Sequence, residues 1–541
     1  MSSKAQNAKN ESSRLRSLRS ATNLQAFEEG QQLSQDKITQ KLSGLYGKGL
    51  LQQDNGSCLP EEVDQYQLLV AMEAGDQDAL NQISLGGARR LVNTQASFAS
   101  ELVGGVPYGF TMPTPPDVAS RWAACEMAEV YEMCIAADIP FTTLNDSGQT
   151  SAAADRAVAT MNAFGADFKG PVDSGTSQVT RKTLFRGNTD GCQFGPYVSQ
   201  FFMHDFNLGL NPVTQKYYFE TGAYGITEAN YLEIAKGNKP VPQTQSPAPL
   251  RPFTPRGLAS VVHVDFVYQF FYYAAQIILN GGVPRHGGYT DIYPDAAFVT
   301  NGGVVVVATA MADVTKNALT ATWVHKWRNH MRLRPEEMAA RVVKQEDGVL
   351  TGVIHPDLYT VAANTIQAVK DFNAPLGGEA KAWLPLNYCE GSPTHPSYPA
   401  GHATIAGACA TILKMIFADI PWANMAGDFS NVYESVDGDA LSAYTGGDTG
   451  AMTLHSELNK LASNCAIGRN MAGVHYRADG DYGLDLGEKI AIQYYEDYLS
   501  RQIEPYGAIS FKKFDGTTHV IASGGGQTRS TGDPVAFERD I

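Results

Sequence analysis

Residues 395–414, "HPSYPAGHATIAGACATILK", join a turn that contains two prolines to an apolar run with a helical period. Proline lacks a backbone donor and clashes with the preceding helical turn, so these prolines place the start of the helix after the turn. The first N–H groups of a helix point outward without partners and carry partial positive charge. The junction therefore predicts a helix mouth that binds an anion beside His395 and His402. Gly401 lets such a ligand approach the backbone closely.

The same helical period recurs through the second half of the chain, where alternating strand patterns are scarce. The apolar segments are 261–279, 303–330, 403–420, 455–467 and 483–499. Segments of this kind bury their apolar faces against one another as packed antiparallel helices. His263 and Asp265 interrupt the most apolar segment, which favours a buried core helix over a membrane span. The sequence thus predicts a mainly α fold with long loops and minor β-structure.

The charge balance narrows the classes of partner. The chain has 541 residues, with 56 acidic against 41 basic side chains and a formal net charge of −15. Nucleic acids and anionic membranes favour basic surfaces, so we expect neither as a partner. The first thirty residues lack the apolar core of a secretory signal. We therefore expect a soluble protein, cytoplasmic by default, with a periplasmic or extracellular location left open.

A proline-rich stretch at 236–256 divides the chain. We predict an N-terminal helical and loop-rich region over 1–255, a helical-bundle region over 256–520 and a flexible tail over 521–541. Residues 1–20 are polar and basic, which is typical either of a solvated tail or of an arm that reaches a neighbouring subunit in an oligomer.

Seven cysteines are scattered along the chain, at positions 58, 125, 134, 192, 389, 409 and 465. They do not have the spacing of a structural zinc site. Cys409 and Cys465 lie in apolar helical segments and are expected to be core thiols. The sequence leaves open whether Cys125 and Cys134 form a disulfide.

Residues 323–337, "WVHKWRNHMRLRPEE", provide two candidate anion ligands, Lys326 and Arg334. On a straight helix, eight residues correspond to about 12 Å of rise, which is too far for both to bind one small ion. We expect Pro335 to break the helix, so that Arg334 can turn back towards Lys326. Taken alone, these side chains are also typical of a solvated helix end that interacts favourably with the helix dipole.

Residues 468–480, "GRNMAGVHYRADG", provide Arg469 and His475. Six residues apart, they would lie on different faces of a regular helix, and we expect Gly468 and Gly473 to supply a break that brings them together.

Asp479 follows His475 by four residues and can accept a hydrogen bond from one imidazole nitrogen. The other nitrogen is then free to act as a nucleophile or ligand. The alternative for Asp479 is a surface ion pair with Arg477. Three cationic side chains beside a helix N-terminus suit a small, multiply charged oxyanion and would repel a bare metal cation.

These stretches, in this order, resemble the vanadium-dependent haloperoxidase and type 2 acid phosphatase superfamily, and most closely the bromoperoxidases of marine algae and cyanobacteria. The spacing of eight between Lys326 and Arg334 is the algal form, one longer than in fungal chloroperoxidases and most of the phosphatases. The resemblance covers most of 180–518. It includes "LFRGNTDGCQFGPYVSQF" (184–201), "RLRPEE" (332–337), "EGSPTHPSYPAGHATIAGACATILK" (390–414), "ELNKLASNCAIGRNMAGVHY" (457–476) and "KFDGTT" (513–518).

The resemblance implies one vanadate per subunit as the prosthetic group, and no haem. It implies that His475 is the protein ligand of the vanadium and that His402 is the acid–base group on the opposite side. Lys326 would also polarise bound peroxide. The groups expected to offset the charge of the vanadate oxygens are Lys326, Arg334, Arg469 and the N–H of Gly401.

The resemblance also implies a substrate. His395 and Trp323 occupy the halide side of the pocket in relatives, and a histidine at the first position is typical of bromoperoxidases. We expect oxidation of bromide, and of iodide, by hydrogen peroxide to a hypohalous-acid-type species that halogenates small organic acceptors. Ala400 stands where the family usually has serine, so one hydrogen-bond donor to the vanadate is missing and weaker retention or slower turnover is expected.

The family fold is nearly all helical, built around two four-helix bundles, and its algal members form homo-oligomers that include dodecamers. We expect an oligomer here by analogy. Two alternatives remain. One is an acid phosphatase of the same superfamily with His475 as phosphoryl nucleophile and His402 as acid. The other is a non-enzymatic anion-binding or assembly protein, which only Ala400 favours.

Overall fold

The computed structural model describes residues 42–99, 101, 103–105, 107–289, 297–502 and 504–524. The predicted N-terminal arm and almost all of the predicted C-terminal tail lie outside the described residues.

Helices make up most of the regular structure in the described residues. They are α1 (Glu62–Ala74), α2 (Gln77–Gln82), α3 (Arg121–Ile135), α4 (Phe141–Leu144), α5 (Ala152–Phe164), α6 (Glu228–Ala235), α7 (Pro255–Val261), α8 (Gln269–Asn280), α9 (Val304–Trp323), α10 (Pro335–Glu346), α11 (Asp357–Thr360), α12 (Ala363–Asn373), α13 (Gly401–Ile416), α14 (Leu454–Met471) and α15 (Arg477–Leu499). Short 3₁₀ turns connect several of them.

The described strands form two-stranded antiparallel ribbons, each made of strands close in sequence. They are β1 (Phe206–Leu208) with β2 (Asn211–Val213), β3 (Glu220–Thr221) with β4 (Thr244–Gln245), β5 (Tyr433–Glu434) with β6 (Ser442–Ala443), and β7 (Ile509–Lys512) with β8 (Thr518–Ile521). The prediction of a mainly α fold with minor β-structure is confirmed.

Helix α13 lies at the centre of the second half, packed against α15, α9 and α14. It is buried from Ala403 to Ile416. Its small residues allow this packing: a Cβ atom on Gly407 would lie 2.3 Å from the carbonyl oxygen of Leu484, and one on Gly487 would clash with the Thr404 carbonyl in the same way. The backbones of α13 and α15 are therefore in direct contact, which holds the start of α13 firmly in place.

The prediction of one continuous buried helix over 261–279 is wrong. Helix α7 ends at Val261 and α8 begins at Gln269. In the turn between them Val264 is 85 % exposed and Phe266 is 62 % exposed. Asp265 points the other way, into the protein, where its carboxylate meets His402. Hydrophobic periodicity alone did not show that this polar contact interrupts the helix.

The helix that contains Lys326 breaks earlier than predicted. After α9, a π-helical turn runs over Val324–His330, and Met331 has a left-handed backbone with φ 47°. Pro335 is not the breaker, because it occupies the first turn of α10, where the missing N–H costs nothing.

The remaining predictions concern cysteines, domains and membrane location. All seven cysteines are buried and free. The main hydrophobic core contains residues on both sides of 255/256, and the predicted domain boundaries stay predictions. Among the described residues, the stretch Val304–His330 is long and apolar enough to span a membrane by length and composition. Because 56 % of its 18-residue apolar window is buried inside the protein, it has the character of a core helix.

Candidate functional site

Arg334 connects two of the predicted segments. It caps the start of α10 and is fully buried. Its Nε donates to the carbonyl oxygen of His395 at 2.9 Å, and its Nη2 lies 3.0 Å from His395 Nδ1. Its Nη1 donates to the Val474 carbonyl at 2.7 Å and lies 3.0 Å from His475 Nε2. Burial lowers the pKa of the Arg334 guanidinium to about 10, so the group stays charged at neutral pH.

Lys326 belongs to the same pocket. Its Nζ is fully buried and donates to the carbonyl oxygens of Pro396 and Ser397 at 2.7 and 2.8 Å. An ammonium group has three protons, so one remains for a ligand. Burial, and then the positive charge of Arg334, hold the Lys326 pKa well below its usual value. An anion beside this group would stabilise its charged form.

Arg469 approaches from the end of α14. Its Nη1 donates to the Val262 carbonyl at 2.7 Å and to the Tyr388 hydroxyl at 3.2 Å. Its Nε is buried and has no acceptor among the described residues. The prediction that Gly468 breaks this helix is wrong, since α14 continues to Met471. Gly468 instead gives room for α7, because a Cβ there would lie 2.9 Å from the Leu258 carbonyl.

His475 lies in the turn between α14 and α15, which Gly473 forms with φ 78°. Its Nδ1 is 2.9 Å from Asp479 Oδ2. Arginine can only donate, so the contact of His475 Nε2 with Arg334 makes Nε2 the acceptor and Nδ1 the protonated nitrogen. Burial, followed by the charges of Arg334, Lys326, Arg469 and His402, lowers the His475 pKa well below its usual value. The ring is therefore neutral at physiological pH, and the lone pair on Nε2 accepts from Arg334 and points into the pocket.

The alternative surface pair between Asp479 and Arg477 is wrong. Asp479 is fully buried and binds His475, while the buried Arg477 guanidinium pairs with Glu129 at 2.5 Å.

His402 lies at the second position of α13 and is 30 % exposed at its side chain. Its Nε2 is 2.9 Å from Asp265 Oδ1. Burial would raise the Asp265 pKa, but the neighbouring His402 and Arg469 reverse this, and the pKa lies below its usual value. A carboxylate that stays ionised at this distance orients the imidazole. His402 is thus a candidate proton carrier between the pocket and solvent.

Ala400 and Gly401 form the helix mouth. Ala400 caps α13, is fully buried, and its N–H donates to the Asp479 carbonyl at 2.9 Å. A Cβ placed on Gly401 would lie 3.6 Å from Leu319 and 3.8 Å from Trp323, in ordinary contact. The first-turn N–H groups of α13 have no acceptor within the helix. They add partial positive charge to the pocket.

His395 and Trp323, the two residues predicted to line the halide side of the pocket, lie side by side. Their rings are 4.9 Å apart and inclined at 46°. Trp323 Nε1 donates to the Val92 carbonyl at 3.3 Å. Burial, and then Lys326 and Arg334, lower the His395 pKa well below its usual value. The pair therefore presents a neutral, largely apolar wall.

The structure brings together every site residue that the sequence analysis named, but two polar residues were missed. Asp265 was noted only as an interruption of an apolar run. Arg332 lies within the quoted "RLRPEE" stretch and forms an ion pair with Asp479 at 2.7 Å.

The donor set fits a small multiply charged oxyanion. Among the described residues, Arg469 Nε has no acceptor and Lys326 Nζ has two acceptors for its three protons, and unsatisfied buried donors are costly. The lone pair on His475 Nε2 faces the same cations. The pocket therefore combines anion-binding donors with one nitrogen that can bond to the central atom of the anion.

Buried histidines predict a loss of stability on mild acidification. Burial lowers the pKa values of His325 and His455 to about 4, and those of His395 and His475 in the same direction. As the pH falls through the unfolded value of about 6.5, the unfolded chain binds protons that the folded chain does not. Unfolding is then favoured, by about 0.8 kcal/mol per histidine at pH 6.0.

We expect the unfolding temperature of the apoprotein to fall between pH 7.5 and 6.0, as measured by calorimetry. The His455→Gln variant should show a shallower dependence. An unfolding temperature that stays constant or rises on acidification would contradict this expectation.

Comparisons with known proteins agree with the geometry. A protein-family model described as the VCPO second helical-bundle domain matches residues 304–503. A vanadium-dependent bromoperoxidase from Ascophyllum nodosum is 32 % identical over 439 residues, covering 77 % of this chain and 76 % of that protein. One from Corallina pilulifera is 30 % identical over 556 residues, covering 88 % and 90 %.

A solved structure shows the same fold. It is the homohexameric second vanadate-dependent bromoperoxidase (AnII) from Ascophyllum nodosum, with a TM-score of 0.80 and 26 % identity over 90 % of this chain and 86 % of that one.

Proposed function

The chain belongs to the vanadium-dependent haloperoxidase family, and from this premise we infer that it is a bromoperoxidase, an oxidoreductase that oxidises bromide with hydrogen peroxide. The observation that supports this most strongly is the position of Arg334, whose guanidinium lies 3.0 Å from both His395 Nδ1 and His475 Nε2. One buried cation thus joins the proposed halide wall to the proposed vanadate ligand.

We propose that the pocket holds one vanadate per subunit and uses no haem. His475 Nε2 would bond to the vanadium, and the N–H of Gly401 would donate to an oxygen at the helix mouth. The side chains that would offset the remaining oxygen charge are Lys326, Arg334 and Arg469. When bound, vanadate supplies a Lewis acid that activates peroxide without a change of metal oxidation state.

The protein's own groups move the protons. Oxidation of bromide by hydrogen peroxide to hypobromous acid consumes one proton and releases one water. His402, held by Asp265 at 2.9 Å and partly exposed, would take a proton from the incoming peroxide and return it to the oxygen that leaves as water, while the one further proton that the reaction consumes would come from solvent. Lys326 keeps its protons; its third N–H would donate a hydrogen bond to peroxide in the pocket and so withdraw electron density from it.

Trp323 and His395 form the wall from which bromide, or iodide, would approach. Bromide is large and weakly hydrated, and a neutral wall beside buried cations suits it better than bulk water does. Small organic acceptors would then be halogenated by the product. We propose a homo-oligomer, as the homohexameric structural relative indicates.

The alternative function is that of a phosphatase that uses the same pocket, with His475 as nucleophile. A direct comparison tests the two. Metal-free protein is given vanadate, bromide and peroxide, and dye bromination is followed; hydrolysis of p-nitrophenyl phosphate is measured in parallel. We expect bromination that depends on added vanadate. Hydrolysis without bromination would favour the phosphatase, and vanadate uptake with neither activity would favour a binding protein.

Ala400 gives a further prediction. A serine hydroxyl at this buried cap position would add one donor to the charged oxyanion, a bond of about 1.5–3 kcal/mol. We expect the Ala400→Ser variant to reach half-maximal bromination at a vanadate concentration about 10- to 100-fold lower. The Ala400→Gly variant, which adds no donor, should show no such gain. Equal vanadate dependence in the serine variant and the unmodified protein would show that another group already supplies this hydrogen-bond donor.

A further inference from the structure

Arg332 is a buried cation that the proposed chemistry does not use. It is only 3 % exposed. Its Nη1 donates to Asp479 Oδ1 at 2.7 Å and its Nη2 donates to Glu126 Oε2 at 2.6 Å. The guanidinium lies over the ring of Tyr476, 4.0 Å from the ring centre. Two carboxylates and one aromatic face thus fix its position completely.

Asp479 connects Arg332 to the pocket. While Oδ1 is held by Arg332, Oδ2 accepts from His475 Nδ1 at 2.9 Å and from the Tyr476 N–H at 3.1 Å. The main-chain carbonyl of Asp479 accepts from the N–H of Ala400, at the mouth of α13. One residue therefore contacts both the proposed vanadium ligand and the anion-binding helix.

Glu126 anchors the far side of Arg332. Its second oxygen, Oε1, accepts from the Ala478 N–H at 2.6 Å, in the first turn of α15. Glu126 lies on α3, far from the pocket in sequence. The carboxylates of Glu126 and Asp479 are both buried and both bind Arg332, so removal of Arg332 leaves two buried negative charges without their common partner.

We propose that Arg332 is a positioning residue for His475. This proposal rests on the proposed function. By fixing Asp479, Arg332 keeps the proton of His475 on Nδ1 and directs the Nε2 lone pair at the vanadium. The three pocket cations do not depend on Arg332 for their positions, because Lys326, Arg334 and Arg469 donate to the main-chain carbonyls of other residues.

Binding of two anions, vanadate and phosphate, distinguishes this positioning role from a general structural role. Vanadate forms a bond to imidazole nitrogen, whereas inorganic phosphate remains tetrahedral and is held by cations and N–H groups alone. A defect in the orientation of His475 should therefore weaken vanadate binding and leave phosphate binding unchanged. A collapse of the pocket should weaken both.

The experiment measures the dissociation constants of vanadate and of phosphate for the metal-free full chain by calorimetry. For Arg332→Met we expect vanadate affinity to fall about 10- to 100-fold, as is usual for partners of metal ligands. Phosphate affinity should change less than about twofold. Arg332→Lys keeps the charge but loses the forked guanidinium that joins two carboxylates. Its vanadate affinity should lie between those of the unmodified protein and Arg332→Met. Glu126→Gln should shift vanadate affinity in the same direction by a smaller factor.

Arg477→Lys is the matched control, since Arg477 is equally buried and pairs with Glu129 instead. It should leave the ratio of the two affinities unchanged. Parallel loss of both anions in the Arg332 variants, or no loss of vanadate affinity, would overturn the positioning role. If the unmodified protein itself binds phosphate but not vanadate, the proposed function fails as well, so the two failures are distinguishable.

Discussion

Replacing His475 with alanine is expected to reduce vanadate-dependent bromination by more than about 100-fold. His475 is neutral, buried and held with Nε2 facing the cations of the pocket. Loss of a partner of a metal ligand typically costs 10- to 100-fold in affinity or activity, and loss of the ligand itself should cost more. Lys326, Arg334 and Arg469 would still attract the anion, so phosphate binding should persist.

The measurement is bromination rate against vanadate concentration, together with the vanadate dissociation constant. His325→Gln is a suitable control, because His325 is also fully buried with a lowered pKa, but its Nε2 binds the Phe110 carbonyl outside the pocket. That variant should bind vanadate normally once folded. Near-normal bromination by His475→Ala would rule out His475 as the vanadium ligand.

Replacing His402 with alanine is expected to have a different effect. The rate at saturating substrates should fall about 100- to 10,000-fold, the usual contribution of a positioned acid–base group. Vanadate affinity should change far less, because the helix N–H groups and the three cations remain. Asp265→Asn keeps a hydrogen-bond acceptor but removes the charge. We expect that variant to lose less rate than His402→Ala, because the imidazole remains but is oriented by a weaker partner.

Steady-state kinetics at several pH values test this assignment. A His402→Ala variant with an unchanged maximal rate would mean that another group or water carries the proton. Loss of vanadate affinity equal to the loss of rate would instead make His402 a binding residue.

Much of the candidate site could be predicted from the sequence because its residues lie in three short stretches that combine cationic side chains with histidines. The turn around Pro396 and Pro399 does end at a helix start, and Arg334 does reach towards His475. The helical period also located α9, α13, α14 and α15, since each buries one continuous apolar face.

What the sequence did not reveal depends on contacts between distant segments. Asp265 and His402 are 137 positions apart, and only the folded chain shows that their contact interrupts an apolar run. Gly468 was predicted to break its helix, although it instead allows α14 to pack closely on α7. Arg332 was not singled out, because sequence alone does not show which side chains are buried with carboxylates.

The most direct test is a crystal structure of the protein grown with vanadate, with vanadium located by its anomalous scattering. We predict one vanadium per subunit within bonding distance of His475 Nε2, with its oxygens in contact with Lys326, Arg334 and Arg469. A vanadium bound to another residue, or an oxyanion held away from His475 Nε2, would contradict the site proposed here.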